Sequence, residues 1–498
     1  MSDFVSDTDW VSRAANLQAP TTLFIDGAEQ PAHSGAIRSI IAPRNGQPIV
    51  DLAWADESDA DAAVAAARRA FDAGPWPRMK AAERGQILQS FARVLEEHRE
   101  EIALLIALEM GKPIRDCYEI ECRALVGCVQ FYGELADKMS GEIVPTAEDQ
   151  VGMVTREPRG VVAAVVPWNF PLTIGSWKFA AALAAGCTVV MKTAEQSPLS
   201  MQLVARLGVE AGLPPGVLNV LSGDGTVVGR ALGLHQDVDA LSFTGSTAVG
   251  RHFLRYSADS NLKRVQLELG GKSPNIIFDD APDLDAAADK AAWAIFFNSG
   301  EMCTAGSRLV VHESIADRVI ERVAANAADW FPDDPLLPDT RMGPLVDARS
   351  LERVLDQLDA GVSTGGRVVT GGERVRVESG GAYLAPTVVD GLAPDNVLVQ
   401  EELFAPVLAV QRFSDEDEAL RLAGDTPYGL AAGVWTSDLG RAHRMAKQLK
   451  AGTVWVNCYE DSDITAPFGG MKLSGFGRDR SAHALDEYTD LKTTWIQH

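Results

Sequence analysis

The stretch VVAAVVPWNFPLTIGSWKFAAALAAGCTVVMK, residues 161–192, decides the fold. Its first six residues, 161–166, form a short apolar run that a proline stops, which is typical of a buried strand. Residues 176–185 carry a helical pattern, and 188–192 form a second apolar run. Because strands that alternate with helices build a parallel sheet covered on both faces, this stretch predicts an α/β fold.

The same alternation continues along most of the chain, and a second series of strands and helices begins after Gly271. Ser197 is predicted to cap a helix that begins at Pro198, since proline is tolerated in a first turn. A chain of 498 residues is too long for one hydrophobic core, so we expect two or three domains. Further elements are predicted as strands at 217–221, 240–243, 275–278 and 309–311, and as helices at 81–110, about 115–137 and 284–297.

The charge of the chain limits its partners. There are 69 acidic and 45 basic residues, with a formal net charge of -24, which argues against a nucleic-acid partner and against an anionic membrane surface. The acidity serves either solubility or attraction of a cationic substrate. The six cysteines contain no Cys-x-x-Cys pair, so no metal site is indicated, and free thiols together with an N-terminus unlike a signal peptide point to the cytoplasm.

Two glycine-containing segments follow predicted strands and open helices. They are GDGTVVG at 223–229 and FTGSTAVG at 243–250. Small residues at a helix start let a pyrophosphate approach backbone N–H groups, although either segment alone is equally explained by turn glycines. Lys192 and Glu195 end a neighbouring strand, where a carboxylate can accept hydrogen bonds from ribose hydroxyls and would repel a 2′-phosphate. The pattern favours NAD over NADP.

Three polar residues stand in segments that suit catalysis. Cys303 lies in a glycine-flanked turn, where a substrate can reach a thiol. Asn169 lies between two prolines, and Glu268 precedes Gly270-Gly271. Taken singly, each has an ordinary structural explanation as a loop cysteine, a turn residue or a surface carboxylate. Together they supply a nucleophile, a hydrogen-bond donor for an alkoxide and a general base.

These segments, with PFGGMK at 467–472, resemble the NAD(P)-dependent aldehyde dehydrogenase superfamily from about residue 23 to residue 495. The resemblance implies a fold of two α/β domains, an NAD-binding domain (1–139 and 160–269) and a catalytic domain (270–475). It also implies a small β arm (140–159 and 476–498) that joins a homo-oligomer, either a dimer or a tetramer. Glu268 favours hydrolysis to a free acid, since relatives that transfer the acyl group to coenzyme A lack this base.

The resemblance also implies the site residues. The expected catalytic residues are Cys303, Glu268, Asn169 and Lys192. The expected cofactor-binding residues are Trp168, Lys192, Glu195, Gly225, Gly229, Phe243, Thr244, Gly245, Ser246, Leu269, Glu402 and Phe404. The expected substrate-binding residues are Phe170, Trp177, Glu121, Phe297, Glu301, Tyr459, Asp461 and Phe468.

The acidic run YEDSD at 459–463 bears on the substrate, because carboxylates beside aromatic faces suit an ammonium group. A solvated acidic loop is the alternative. The C-terminal run GRDRSAHALD at 477–486 is similar to the γ-glutamyl-γ-aminobutyraldehyde dehydrogenase branch, which implies ω-aminoaldehydes from polyamine breakdown. The rivals are a broad aliphatic, aromatic or betaine aldehyde dehydrogenase, a non-catalytic protein on the same fold, and a cysteine esterase.

Overall fold

The computed structural model describes Phe4 and residues 8–498. The strands of this part of the chain form four sheets with eight, seven, three and two strands. No helix in it is both long enough and apolar enough to cross a membrane. The strands are β1 Leu23–Ile25, β2 Ala28–Gln30, β3 Ile37–Ile41, β4 Pro48–Ala53, β5 Glu142–Val144, β6 Gln150–Pro158, β7 Val161–Val165, β8 Thr188–Lys192, β9 Leu218–Leu221, β10 Ala240–Gly245, β11 Arg264–Leu269, β12 Pro274–Ile277, β13 Arg308–His312, β14 Arg367–Thr370, β15 Thr387–Asp390, β16 Val407–Phe413, β17 Ala431–Trp435, β18 Thr453–Val456, β19 Gly475–Phe476 and β20 Thr489–Gln497.

Sixteen α-helices cover or connect these sheets. Two π-helical turns, Cys117–Glu121 and Gly225–Gly229, precede α6 and α9. The helices are α1 Trp10–Ala15, α2 Glu57–Asp72, α3 Ala81–Glu97, α4 Arg99–Met110, α5 Ile114–Asp116, α6 Cys122–Leu135, α7 Pro171–Ala185, α8 Leu199–Glu210, α9 Arg230–Leu234, α10 Thr247–Ala258, α11 Leu284–Phe296, α12 Ala316–Asn326, α13 Ala348–Ser363, α14 Val397–Gln400, α15 Glu416–Gly424 and α16 Leu439–Gln448.

The eight-stranded sheet has the order β19-β11-β10-β7-β8-β9-β1-β2, and the pairs from β11 to β9 are parallel. Its central strand β7 is buried on both faces. Val162 and Ala164 pack into the core beneath α3, α6 and α7, whereas Val161 and Ala163 pack into a second core against α2. Successive side chains of a strand point to opposite faces of the sheet. Because both faces of β7 are buried, the whole run is apolar.

The seven-stranded sheet has the order β14-β15-β16-β13-β12-β17-β18 and is parallel except at β14. Both large sheets therefore have the architecture that the sequence predicts. The third sheet pairs β20 with β6 along nine residues and adds β5, so the C-terminal strand lies on the segment near 140–159 as expected. One detail crosses the expected domain boundary, because Gly475–Phe476 pairs with β11 in the first sheet.

Three predicted helical features are wrong in detail. The helix predicted at 81–110 is broken at His98 into α3 and α4, and the one predicted at about 115–137 contains the π-helical turn before α6. Ser197 does not cap α8, which begins at Leu199. The buried carboxylate of Glu109 accepts the first N–H groups of that helix, from Leu199 and Ser200. A helix start needs an acceptor but not a local one, so a distant residue can replace the expected cap.

Candidate active site

The carboxyl ends of β7, β10 and β11 meet the loop between α11 and β13 at one cavity of about 320 Å³. Ligands of parallel sheets bind at this end of the strands. The cavity brings together nucleophile, amide and cofactor candidates that lie far apart in the sequence. It is lined by Pro167, Trp168, Asn169, Ile174, Thr244, Gly245, Ser246, Leu269, Gly270, Cys303, Arg353, Glu402 and Phe404.

Cys303 reaches this cavity through an unusual turn. Three consecutive residues before it lie in the left-handed region, with φ of 50° at Asn298, 55° at Ser299 and 69° at Gly300. Only the last of the three is a glycine, so tertiary contacts must hold the first two in place. A Cβ at Gly271 would overlap the Cys303 carbonyl oxygen, which explains the requirement for glycine beside this loop.

Acidic surroundings disfavour the Cys303 thiolate. Burial raises the pKa of the thiol, and the negative charges of Glu460, Glu402 and Glu268 raise it further. The thiolate is the nucleophilic form of cysteine. Positive charge from a bound ligand would therefore activate this residue.

Asn169 lies directly against the cysteine loop and is buried. Its Nδ2 donates to the Glu301 carbonyl oxygen at 2.9 Å. The Asn298 amide donates in turn to the Asn169 carbonyl at 3.3 Å and to the Glu301 carbonyl at 3.1 Å. A carboxamide nitrogen carries two hydrogens, so Asn169 retains one donor that can point into the cavity.

Glu268 stands at the end of β11 with its side chain buried, and neither of its carboxylate oxygens has a hydrogen-bond partner in the described part of the chain. Burial raises the pKa of this carboxyl well above its usual range, and the nearby Asp479 adds to the effect, while Lys178 and Arg478 oppose it. A buried carboxylate whose pKa is raised in this way is typical of a general base in an active site.

Lys192 and Glu195 form the polar corner expected for a ribose. Lys192 Nζ lies 3.1 Å from Glu195 Oε1, which also accepts the Gly225 N–H at 2.6 Å. Burial lowers the pKa of Lys192, and Glu195 raises it. Gly229 lies deeper, beside Phe253. The Glu195 side chain is 33% exposed, so a ribose can reach its carboxylate, and the Lys192–Glu195 pair fits an adenosine ribose.

The second glycine segment contributes differently from the expectation. Thr244, Gly245 and Ser246 line the cavity. Phe243 does not, because its ring packs on Phe253 at 4.9 Å within the core. A Cβ at Gly245 would lie 2.5 Å from the Phe243 ring. The Phe243 side chain therefore packs beneath Gly245 and does not line the cavity, and its role as a cofactor-binding residue stays a prediction.

Glu402 and Phe404 lie on the opposite wall. Glu402 Oε1 accepts the Gly271 N–H at 2.9 Å, and burial raises the pKa of Glu402 to about 7. A Cβ at Gly270 would overlap this carboxylate. Phe404 meets Trp168 edge to face, with ring centroids 5.4 Å apart. This wall presents a carboxylate and an aromatic face, which fits a ribose and a nicotinamide ring.

The aromatic residues expected to bind the substrate pack against other aromatic or cationic side chains. Trp177 packs on Phe468 with centroids 5.2 Å apart, and Phe297 stacks on Trp293 at 4.8 Å. Phe170 carries the Lys112 ammonium over its ring at 3.7 Å. Apolar walls of this kind suit an organic substrate.

Three expected substrate contacts are turned into the protein. The Glu121 carboxylate is buried in an ion pair with Lys112 and accepts the Leu172 N–H at 3.0 Å at the start of α7. Glu301 is buried and accepts the Val346 N–H at 3.0 Å. The buried Tyr459 hydroxyl donates to the Thr304 carbonyl at 2.8 Å. The resemblance places these residues near the site, but it does not show which of their polar atoms have partners inside the protein.

The acidic run is also divided by the fold. Asp461 is exposed, and its backbone carbonyl accepts a hydrogen bond from Trp455. Glu460 is partly buried in the left-handed conformation, and its Oε1 has no hydrogen-bond partner in the described residues. Among residues 4 and 8–498, no group of three or more His, Cys, Asp or Glu is arranged to hold a metal ion.

Comparison with known proteins identifies the family. The model of the aldehyde dehydrogenase family matches residues 31–494. The chain belongs to this family. The predicted family and the predicted fold class are both confirmed.

Three relatives of this dehydrogenase bear on its site. The NADP/NAD-dependent aldehyde dehydrogenase PuuC of Escherichia coli K12 is 45% identical over 98% of each chain. The γ-glutamyl-γ-aminobutyraldehyde dehydrogenase of Burkholderia cenocepacia J2315 is 52% identical, with a TM-score of 0.97 over 98% of this chain and 99% of the other. The indole-3-acetaldehyde dehydrogenase AldA of P. syringae, solved with NAD+ and IAA, is 49% identical, with a TM-score of 0.98 over 99% and 100%.

Sequence reasoning missed several residues of the dehydrogenase site. Pro167, Ile174, Gly270 and Arg353 line the cavity. Pro167 and Gly270 lie within two residues of Asn169 and Glu268, so their position in these motifs could have identified them. Ile174 and Arg353 had no signal, because a helical residue shows its cavity-facing side only in the folded chain.

Proposed function

We propose that this dehydrogenase oxidises ω-aminoaldehydes to carboxylic acids with NAD as its cofactor. The observation that carries the catalytic part is the arrangement around Cys303. Its thiol and the Asn169 amide line one cavity, and the unpartnered Glu268 carboxylate lies close enough for its charge to raise the pKa of the thiol.

The first step is attack by the Cys303 thiolate on the aldehyde carbon. A carbon–sulfur bond forms, and the carbonyl π electrons move to the oxygen. The remaining hydrogen of Asn169 Nδ2 and the Cys303 backbone N–H are the donors proposed for this oxyanion. The Glu301 carbonyl holds the amide through its other hydrogen, so the donor is already oriented before the aldehyde arrives.

Bound NAD+ supplies the hydride acceptor. Loss of hydride from the carbon of the adduct leaves a thioester on Cys303. Glu268 then takes a proton from water, whose oxygen attacks the thioester carbon, and the thiolate leaves. Neither carboxylate oxygen of Glu268 has a hydrogen-bond partner in the described part of the chain, which supports this role, because a water molecule admitted to the site can donate to either oxygen.

The residues at the polar corner support NAD. A ribose with free hydroxyls can donate to Glu195, whereas a 2′-phosphate would bring negative charge against the same carboxylate. Lys192 lies within reach of the same oxygen and softens this preference. The mixed cofactor use stated for PuuC shows that members of the family differ in this respect.

Glu460 supports the substrate class. After burial, its charge is the foremost cause of the raised pKa of Cys303, so it lies near the thiol. Burial raises the pKa of Glu460 itself, and its Oε1 lacks a hydrogen-bond donor. The ammonium group of an ω-aminoaldehyde would satisfy that oxygen. The similarity to the γ-glutamyl-γ-aminobutyraldehyde dehydrogenase points the same way.

The test is NADH formation with 4-aminobutyraldehyde and with butyraldehyde across a range of salt. The amine should have the higher kcat/KM by about 10-fold, and added salt should reduce its advantage. Glu460→Gln should remove the preference. Asp463→Asn, on the same loop but exposed, should keep it. Equal rates on both aldehydes would refute the substrate class while leaving the dehydrogenase chemistry intact.

A second candidate substrate class is the apolar and aromatic aldehydes. The Trp177–Phe468 and Trp293–Phe297 pairs favour it. The charge of Arg480 also opposes the raised pKa of Glu460, so part of the negative charge is already compensated. The indole-3-acetaldehyde dehydrogenase AldA, which is named for an aromatic aldehyde, is 49% identical to this chain. Faster turnover of phenylacetaldehyde than of 4-aminobutyraldehyde would favour this class.

We also propose a cytoplasmic homo-oligomer joined through the three-stranded sheet. Strand β20 exposes Leu491, Trp495 and Ile496 along one edge of that sheet. Unpaired apolar edges of this kind bind a second chain. Light scattering should give a dimer or tetramer mass, and Trp495→Asp should lower it. All six cysteines are free, which fits a reducing compartment.

A further inference from the structure

Glu301 occupies a position that the proposed reaction does not use. It is fully buried two residues before the nucleophile. Its Oε1 accepts the Val346 N–H at 3.0 Å, and its backbone carbonyl accepts the amide hydrogens of Asn169 and Asn298. The side chain therefore fixes the peptide group that aims the Asn169 amide.

The segment held in this way is strained. Asn298 and Ser299 are left-handed without being glycines. A Cβ at Gly300 would overlap the backbone of Ala405, so the segment has no room to relax in that direction. Two side-chain anchors tie it to the neighbouring loop, namely the Ser299 hydroxyl on the Gly343 carbonyl at 3.0 Å and Glu301 on Val346.

The charges around Glu301 do not favour a carboxylate. Its Oε2 is buried without a hydrogen-bond partner in the described part of the chain. Burial raises the pKa of Glu301 well above its usual range, and Asp347 adds to this, while Lys112 and Arg353 oppose it. Lys112 is already paired with Glu121, and Arg353 donates to the Leu403 carbonyl at 2.8 Å. Neither cation forms an ion pair with Glu301.

We propose that Glu301 is a positioning residue that works as a neutral carboxylic acid, and that its ionisation at high pH loosens the hold on Asn169 and slows turnover. The inference rests on the proposed role of Asn169. A buried negative charge without a cation must recruit water or move. Movement of the Glu301 side chain would shift the strained segment, and the Glu301 carbonyl would then no longer orient the Asn169 amide.

The test is the pH profile of kcat at saturating aldehyde and NAD. The wild-type enzyme should lose activity on the alkaline side. Glu301→Gln preserves the acceptor for Val346 but cannot ionise. It should keep kcat at pH 7 within about twofold and should remove the alkaline decline. Persistence of the decline in this variant, or its absence from the wild type up to pH 10, would overturn the proposal.

Three further variants separate this role from a purely structural one. Glu301→Met fills the space without an acceptor, so kcat should fall about 10-fold or more at every pH, with little change in KM for NAD. Asp347→Asn keeps the N-cap of α13 but removes a negative charge, so the alkaline decline should move to lower pH. Glu109→Gln changes another buried carboxyl that accepts backbone N–H groups, and it should leave the decline in place.

Failure of the proposed function has a different signature. In that case the wild-type enzyme would not form NADH from any aldehyde, or Glu268→Gln would turn over at the full rate. Failure of the Glu301 inference alone leaves aldehyde oxidation and the role of Glu268 untouched and changes only the alkaline profile.

Discussion

The cofactor side and the reaction side of the candidate active site satisfy their charges in opposite ways. On the cofactor side, Glu195 accepts hydrogen bonds from Lys192 and Gly225, and Glu402 accepts one from Gly271. On the reaction side, Glu268 is buried with no hydrogen-bond partner among the described residues. On the first side these carboxylates have their partners within the protein, and the Thr244 hydroxyl alone among the described lining residues of the cavity is left buried without one.

The reaction side is left incomplete, at Glu301 and Glu460 as well as at Glu268. Unsatisfied buried polar groups cost free energy, so they persist where a ligand, a water or a proton completes them. This difference indicates that the cofactor side is a preformed binding surface. On the reaction side, the substrate, a water or a proton completes the polar groups that the protein leaves without partners.

The strongest way to break the comparison is to remove the nucleophile. Cys303→Ala should lower dehydrogenation by at least ~10⁴-fold, because no other group replaces the thiolate. Since the cofactor side does not depend on the thiol, NAD should still bind with a Kd within about threefold of the wild-type value, as measured by calorimetry. Cys458→Ala, at the other partly exposed cysteine, should retain activity. Retained turnover in Cys303→Ala would assign the chemistry elsewhere.

The next largest effect is expected at Glu268. Its pKa is raised, so the ionised base forms only as pH increases, and deacylation should accelerate with pH through that pKa. Glu268→Gln should remove this acid-side limb and lower steady-state turnover by about 10² to 10⁴-fold. A rapid NADH burst equal to one equivalent of sites should remain in stopped-flow measurements. A variant with no burst would place Glu268 before hydride transfer.

The same contrast explains how much of the fold and of the site could be predicted from the sequence. The strand pattern of 161–192 predicted β7 and β8 almost to the residue, because a strand buried on both faces must be continuously apolar. Turn glycines and a strand-end carboxylate likewise predicted the polar corner at Glu195. Local rules suffice where backbone groups and neighbours in the sequence complete a site.

The reaction side could not be predicted to this depth. The resemblance placed Glu121 and Glu301 near the substrate, but Lys112 pairs with the first carboxylate and one oxygen of the second accepts the Val346 N–H. The left-handed turn before Cys303 contains asparagine and serine, which carry little local preference for it. Such features depend on tertiary contacts, and Glu109 at the start of α8 shows the same dependence outside the site.

A smaller effect should sharpen the cofactor side. Glu195→Gln removes the negative charge that faces a 2′-phosphate while Lys192 remains, so the ratio of kcat/KM for NADP to that for NAD should rise about 10-fold. The exposed carboxylate of Glu210, at the end of α8, offers a matched control, and Glu210→Gln should leave the ratio unchanged. An unchanged ratio in Glu195→Gln would mean that another group selects the cofactor.

The smallest effect is on stability and comes from Glu301. Its pKa is raised in the folded state, so the folded chain binds this proton more tightly than the unfolded chain does. The contribution to stability is present below the unfolded pKa, and it is lost as pH rises towards the folded pKa. Glu301→Gln cannot ionise and avoids this loss. Its Tm should equal that of the wild type near pH 4.5 and exceed it by about 1 to 3 °C at pH 8. A Tm difference that does not grow with pH would mean that Glu301 is already ionised in the native protein, and the reaction side would then hold a stable buried charge rather than a stored proton.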